Sequence, residues 1–221
     1  MQQTVSILMT EFVTHDVKRF IVERPEGLVY QPDQGVELAI NRPGWEEQGR
    51  PFTPTSMTED RVLEFIIKGY PQHRGVTQQL HQLHAGDELL ISEPFGTITY
   101  QGPGTFIAGG AGITPFIAIL RELAGTGRLE GHTLLYSNKT PGDIICEKEF
   151  RHYLGKRFIP ICTNSDAPGY EHSKIDRAYL TETIDDFSQH FYVCGPPAFN
   201  DAINAALKDL GASPEAVVFE R

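Results

Sequence analysis

Ile107-Ala108-Gly109-Gly110-Ala111-Gly112-Ile113-Thr114-Pro115 is an apolar run that breaks into clustered glycines and resumes as Phe116-Ile117-Ala118-Ile119-Leu120. That order reads as strand, tight turn and helix. Glycines let a backbone turn sharply and come close to a ligand, and the free N–H groups of a helix start attract phosphate. Glycine turns between strand and helix also serve plain packing, so this stretch alone leaves nucleotide binding and packing both open. Around and after it, residues 105–108, 133–137, 158–162 and 191–194 read as strands. Helical stretches at 115–123, 143–153, 178–183 and 197–210 separate them. Thr140, Pro141 and Asp143 mark the second of these helix starts as a capping box. Strands alternating with helices predict right-handed crossovers and a parallel sheet.

Before Gly102 the pattern is different. Short β-branched and apolar runs at 4–14, 18–23, 35–40, 62–68 and 88–92 alternate with Pro, Gly and Asp turns, and Leu80 and Leu83 stand at helical spacing in a short stretch at 78–84. That spacing predicts an antiparallel sandwich or barrel. The halves meet at Gly102-Pro103-Gly104, giving domains at 1–102 and 103–221 joined without a long linker. At 221 residues the chain is long enough for two cores of this size.

Composition removes several classes of function. Net charge is −10, from 19 Lys and Arg against 29 Asp and Glu, with no basic block. Nucleic acid and anionic membrane are therefore not expected partners. The apolar runs fall short of the ~20 residues that span a bilayer, and the N-terminus lacks the order of a signal peptide, so a cytoplasmic protein without membrane insertion is expected. Cys146, Cys162 and Cys194 lack paired spacing, which points to small buried residues rather than disulfides, zinc or iron–sulfur clusters. His81 and His84 have no evident acidic or cysteine partner and read as solvated, so no metal site is expected.

Two further motifs suit a phosphorylated cofactor. Arg50-Pro51-Phe52-Thr53 sets a fixed cation, a ring and a hydroxyl side by side, with Arg50 and Phe52 on one face of a strand and Thr53 on the other. Gly75-Val76-Thr77 offers backbone N–H groups and a hydroxyl at a helix start.

Arg50–Thr53, Gly75–Thr77, Gly109–Pro115 and Cys194-Gly195-Pro196-Pro197 together resemble, in order and spacing, the ferredoxin-NADP reductase superfamily, in particular its compact bacterial flavodoxin or ferredoxin reductase-like branch. The segment 136–145 is also similar to microsomal NADH-cytochrome reductases. The resemblance spans nearly the whole chain. It implies a flavin-binding antiparallel barrel followed by an α/β domain with a five-stranded parallel sheet, FAD rather than FMN, and hydride passing directly from NAD(P)H to the flavin. Position by position, it implies Arg50 on the flavin phosphates, Phe52 stacked on the ring with Pro51 beside it, and Thr53 at flavin N5. Phe52 replaces the family's usual tyrosine, which keeps the stacking face and removes a phenol hydrogen bond. Gly75, Val76 and Thr77 would hold the pyrophosphate, Ile66 on the preceding strand would be a cofactor contact, and Lys68 on that strand matches a lysine near the nicotinamide cofactor in related reductases. Gly110, Gly112, Thr114 and Pro115 would border the nicotinamide dinucleotide, Cys194, Gly195 and Pro196 would approach the nicotinamide, and Glu220 would reach the flavin from the C-terminus.

Ser137 and Asn138, with Asp166 after the next strand, fall where the adenosine end is expected. Lys139 argues for NADPH and Asp166 against it, because a cation suits and a carboxylate repels the 2′-phosphate; with no arginine after Ser165, the choice leans to NADH. Electrons would pass to a separate acceptor: a ferredoxin, a flavodoxin or a haem protein. The alternative is a ferric-chelate or free-flavin reductase with a small acceptor. The first 102 residues hold eight Lys and Arg against fourteen Asp and Glu, so an acidic acceptor needs a local basic patch, for which Lys18, Arg19, Arg42 and Arg74 are the candidates.

Overall fold

A computed structural model describes residues 2–70, 72, 75–96 and 98–213, and the backbone of 217–219. The first half contains β1 (Gln3–Phe12), β2 (Val17–Glu23), β3 (Gln34–Ile40), β4 (Arg50–Phe52), β5 (Val62–Lys68), α1 (Val76–Leu80), β6 (Glu88–Ile91) and β7 (Phe95–Gly96). The strands pair antiparallel in the order β4-β3-β6-β1-β2-β5, with β7 added on β3. Beyond the two ends of that path, the Thr55 N–H donates to the Glu64 carbonyl at 2.7 Å, which ties the chain after β4 to β5 and nearly closes the barrel.

The β5 sequence is almost continuously apolar because both its faces are covered. Leu63, Phe65 and Ile67 enter the barrel core with Phe20, Val22, Val36 and Leu38. Ile66, pointing the other way, joins a second core with Phe106, Phe116 and Leu120 from the other half. Alternation of side chains along a strand makes this double burial possible.

The second half runs β8 (Gly104–Gly109), a 3₁₀ turn (Gly110–Ile113), α2 (Thr114–Gly125), β9 (Thr133–Asn138), α3 (Glu147–Leu154), β10 (Phe158–Cys162), α4 (Arg177–Thr183), β11 (His190–Cys194), α5 (Pro197–Asp209) and β12 (Val217–Phe219). Its five strands are parallel in the order β10-β9-β8-β11-β12. The chain moves from β8 outward to β10, then returns to the opposite side of β8 for β11. A crevice therefore opens at the carboxyl ends of β8 and β11, where such sheets bind ligands.

The junction is held by aromatic packing. Tyr192 stacks on Phe106 at 4.6 Å and on Tyr100 at 5.8 Å, while its hydroxyl accepts from Gln101 and Gly102 N–H groups at 3.0 Å and donates to the Gly102 carbonyl at 2.8 Å.

Three expectations are corrected. Asp143 Oδ2 does accept from Thr140 N–H and Oγ1 at 2.8 and 2.6 Å, but this box caps only a 3₁₀ turn over Pro141–Asp143. The helix itself starts at Glu147, after Cys146 takes a left-handed conformation at φ 55°. His81 is not solvated: its Nε2 lies 2.8 Å from the Ile67 carbonyl, its ring meets Phe12 edge-on, and burial lowers its pKa below the ordinary histidine value. The basic patch does not form, since Lys18 is buried with Nζ donating to the His81 and Leu83 carbonyls, Arg19 pairs with Glu11, and Arg42 pairs with Asp87. Arg74 lies outside the described residues.

Candidate functional site

A cleft of about 640 Å³ sits at the crevice between β8 and β11. Its floor is the Gly109–Gly112 turn, one wall is Cys194-Gly195-Pro196-Pro197, another is Ser137, Asn138 and Lys139, and Lys68 and Tyr70 face it from the barrel. The cleft thus brings together Lys68, Gly110, Gly112, Ser137, Asn138, Cys194, Gly195 and Pro196 from the sequence candidates. A second cleft of about 680 Å³ shares Ser137, Thr163 and Phe199 with the first and extends to His172, Ser173 and Lys174.

The glycines in the floor have separate physical reasons. Gly110 has φ +55° and open space where a Cβ would stand. Gly112 instead packs so closely that a Cβ would lie 2.4 Å from the Cys194 carbonyl oxygen and 2.6 Å from Gly195 N. Thr114 Oγ1 returns to the Ala111 carbonyl at 3.2 Å, and Pro115 is buried in the first turn of α2, so both shape the turn without lining the cleft. Tyr136, fully buried, donates its hydroxyl to the Gly110 carbonyl at 3.0 Å and accepts from Ile145 N–H at 3.4 Å. Burial raises the Tyr136 pKa far above the ordinary phenol range, so this hydroxyl keeps its proton.

The other group of candidates lies on the barrel. Arg50 and Pro51 are exposed on β4, where Arg50 donates to the Gly49 carbonyl at 2.7 Å. Phe52 is half-buried against the barrel core, and Thr53 is 5% exposed. Gly75 caps α1 in an extended conformation without a side-chain cap, Val76 is buried and Thr77 half-buried. β4, which carries Arg50 to Phe52, is one end of the barrel path, β5 is the other, and Gly75–Thr77 follow β5 at the start of α1. Ile66 lies in the core between the halves. Asp166 lines neither cleft, and Glu220 lies outside the described residues.

The electrostatic centre between the halves has no motif. Arg121 on α2 donates Nη1 to the Thr55 carbonyl and Glu64 Oε1, both at 2.6 Å, and pairs through Nε and Nη2 with both oxygens of Glu149. It thereby fastens the barrel seam to α2 and α3. Burial raises the Glu149 pKa, and the Arg121 guanidinium overrides that effect and holds it below the usual carboxylate value. A single arginine inside an amphipathic helix gives no sequence signal of such a role. At the cleft mouth, Lys68 Nζ pairs with Asp16 at 2.8 Å, and His15 bridges Asp16 and Asp143 at 3.7 and 3.9 Å.

None of Cys146, Cys162 and Cys194 forms a disulfide. Burial pushes Cys146 up to about 12 and raises Cys162, so neither is a ready nucleophile.

The donor set fits a dinucleotide in the cleft: Asn138 is 7% exposed, lines the cleft, and its Nδ2 has no hydrogen-bond partner among the described residues. The barrel set, a guanidinium, a half-buried ring and an uncapped helix start, fits a flavin nucleotide by its chemistry.

Two domain families match the chain. The oxidoreductase FAD-binding domain covers residues 4–100, and the oxidoreductase NAD-binding domain covers 106–205. NADH–cytochrome b5 reductase 1 of Arabidopsis thaliana is 30% identical over 226 residues, covering 92% of this chain and 78% of the relative. The propane 2-monooxygenase reductase component of Rhodococcus jostii (strain RHA1) is 27% identical over 212 residues, covering 89% of this chain but 56% of the relative. Among solved structures, a ferredoxin NADP+ reductase from Neisseria gonorrhoeae with bound FAD and NADP superposes with a TM-score of 0.87 at 19% identity, over 99% of this chain and 98% of that one. At that identity the likeness concerns the fold. No helix among the described residues is long and apolar enough to cross a membrane.

Proposed function

The chain belongs to the ferredoxin-NADP reductase superfamily of FAD- and NAD-binding oxidoreductases, and from that premise we propose that it oxidises NADH through FAD and delivers the electrons to a separate acceptor protein. One observation carries the reading: the cleft at the sheet's switch point is walled by glycine-rich backbone on one side and by Lys68 and Tyr70 of the barrel on the other. Such a cleft can align a nicotinamide ring against a group held by the barrel.

Bound FAD would supply a carrier that accepts two electrons as hydride and releases them one at a time. Arg50 and the N–H groups of Gly75, Val76 and Thr77 bind its phosphates, the Phe52 ring stacks on it, and Thr53 donates at its edge. Pro51 stiffens that strand, while Ile66 packs the joint behind it. Gly110, Ser137 and Asn138 hold the dinucleotide, and Cys194, Gly195 and Pro196 orient the nicotinamide half. Lys68 and Tyr70 shield the cleft from water. No proton-transferring pair is needed, because alignment and water exclusion are the protein's share of a hydride transfer. We place the division between the flavin and nucleotide domains at residues 102 and 103, and Glu220 as a contact to the flavin.

NADH is favoured as donor by the 30% identical relatives named NADH-cytochrome b5 reductases. Lys139 and Lys174 line the clefts and Asp166 does not, so the lean to NADH rests on those relatives. The acceptor is a redox protein such as a ferredoxin or a haem protein, in keeping with the names of the relatives.

An anaerobic titration checks the reading. The purified protein is expected to be yellow and to bleach on addition of NADH. A colourless preparation, or a flavin that neither nucleotide bleaches, overturns it. A kcat/KM preference of about tenfold or more for NADPH overturns the choice of donor alone. Efficient turnover of a ferric chelate with no response to any redox protein would replace the acceptor class with a small molecule.

A further inference from the structure

We propose that Tyr136 is the positioning residue of the nucleotide cleft, its hydroxyl fixing the Gly110 carbonyl in the cleft floor and its side chain setting Asn138 to donate to the bound dinucleotide. The inference rests on the reading of the cleft as the NAD(P)H site and adds to it a residue that touches no ligand.

The geometry is specific. Tyr136 and Asn138 are two apart on β9 and share one face of the sheet. Tyr136 pairs in register with Ala108, two residues before Gly110. Its ring is 0% exposed and packs edge-on against Phe150 at 6.3 Å. From that fixed seat the hydroxyl reaches 3.0 Å to the Gly110 carbonyl. Gly110 takes φ +55°, which glycine adopts freely, and the phenol fixes where its carbonyl points from behind the turn. The same oxygen accepts from Ile145 N–H at 3.4 Å, which ties the floor to the segment carrying Asp143, another lining residue.

Asn138 stands on the same face of β9 as Tyr136, at its cleft end. Its Nδ2 is buried with no hydrogen-bond partner among the described residues, although Asn138 lines the cleft. A buried, unmatched amide donor costs stability unless a ligand accepts from it. The acceptor fitting there is an oxygen of the dinucleotide, from a phosphate, ribose or carboxamide.

Tyr136→Phe keeps the ring and removes the hydroxyl. Stopped-flow reduction of the FAD-loaded protein by NADH, with NADPH in parallel, is expected to show the half-saturating nucleotide concentration raised by about tenfold, with the limiting rate changed far less and flavin content unchanged. Asn138→Ala is expected to raise half-saturation as well, and to do so less in the Tyr136→Phe background than in the native one, because the two act through one contact. An unchanged half-saturating concentration in Tyr136→Phe, with or without a lower melting temperature, reduces the phenol to a packing element and overturns the proposal. Fully additive effects of the two substitutions overturn the link to Asn138. If the native protein's flavin is not reduced by either nucleotide, the reading of the cleft itself fails, and that outcome is separate from the behaviour of the variants.

Discussion

Gly112→Val is expected to slow flavin reduction by NADH by a factor on the order of a hundred while the flavin stays bound. The Cβ of any residue at 112 would stand 2.4 Å from the Cys194 oxygen, 2.5 Å from its carbonyl carbon and 2.6 Å from Gly195 N. All three are backbone atoms, so no rotamer change relieves the contact. The 3₁₀ turn after β8 and the Cys194–Pro196 segment after β11 must move apart, and these are the floor and one wall of the cleft. A displacement of about 1 Å in a hydride-transfer site is enough to cost two orders of magnitude. Rapid mixing with NADH, together with the flavin-to-protein ratio of the purified variant, measures both halves of the expectation. Loss of flavin with no effect on nucleotide binding would mean that this stretch serves the other cofactor. An unchanged rate would mean that the crevice is not where NADH binds.

Arg121→Met is expected to lower the melting temperature by ~10 °C, from a loss of about 3–5 kcal/mol. The guanidinium is 16% exposed and neutralises Glu64 and Glu149, whose side chains are 11% and 24% exposed. Removing it takes the bidentate cation from Glu149, leaves Glu64 facing Arg19 Nη1 at 3.5 Å, and frees the Thr55 carbonyl at the barrel seam. An uncompensated buried charge costs far more than the intact pair contributes. Glu149 gives the arrangement a pH signature. Its folded pKa is depressed, so its share of stability is complete above the ordinary carboxylate value near 4.5 and disappears as pH falls through the folded value. The native protein should therefore lose stability below about pH 4.5 more steeply than the variant, in which the cation responsible for the depression is gone. Thermal melts of both proteins across acid pH test this, and equal melting temperatures at neutral pH would show that Arg121 is not the fastening between the halves.

The large features of the fold were legible because they rest on local physics. Alternation, turn residues and the change from β-rich to alternating β and α sequence are properties of short windows, and a window of that size reports which faces are buried. The apolar run at 62–68 and the strand at 158–162 were read with their observed limits. The boundary of α3 was misread for a physical reason: Thr140-Pro141-Gly142-Asp143 is a sound capping box, yet Ile144 turns extended after it, and Cys146 at φ 55° stands before the helix that starts at Glu147. The parallel sheet's fifth strand, Val217–Phe219, carries three residues and too little pattern to stand out.

The site divides the same way. Glycines at 110 and 112 and the Cys194–Pro196 segment were candidates because glycine and proline mark special backbone in sequence. Lys139 and Thr163 follow strand ends and were expected near the adenosine end, whereas Tyr70 and Phe199 line the clefts as ordinary residue types at ordinary positions, and only the tertiary fold brings them there. His81 and Lys18 look like surface groups, because charge and polarity alone do not reveal that a strand and a short helix will close over them.

By itself, then, the residue pattern established an antiparallel β first half, sandwich or barrel, followed by alternating strands and helices of a parallel sheet, and it singled out the glycine turn at 109–112. It left open whether that turn served a ligand or packing. The tertiary structure assigned Gly110 to the open cleft and Gly112 to contact with the Cys194 backbone, 82 residues away in the chain. It also decided that Tyr136 reaches behind the turn and that Arg121 joins the halves. These are contacts between residues distant in sequence, set by strand order and domain docking, and no local window of residues carries that information.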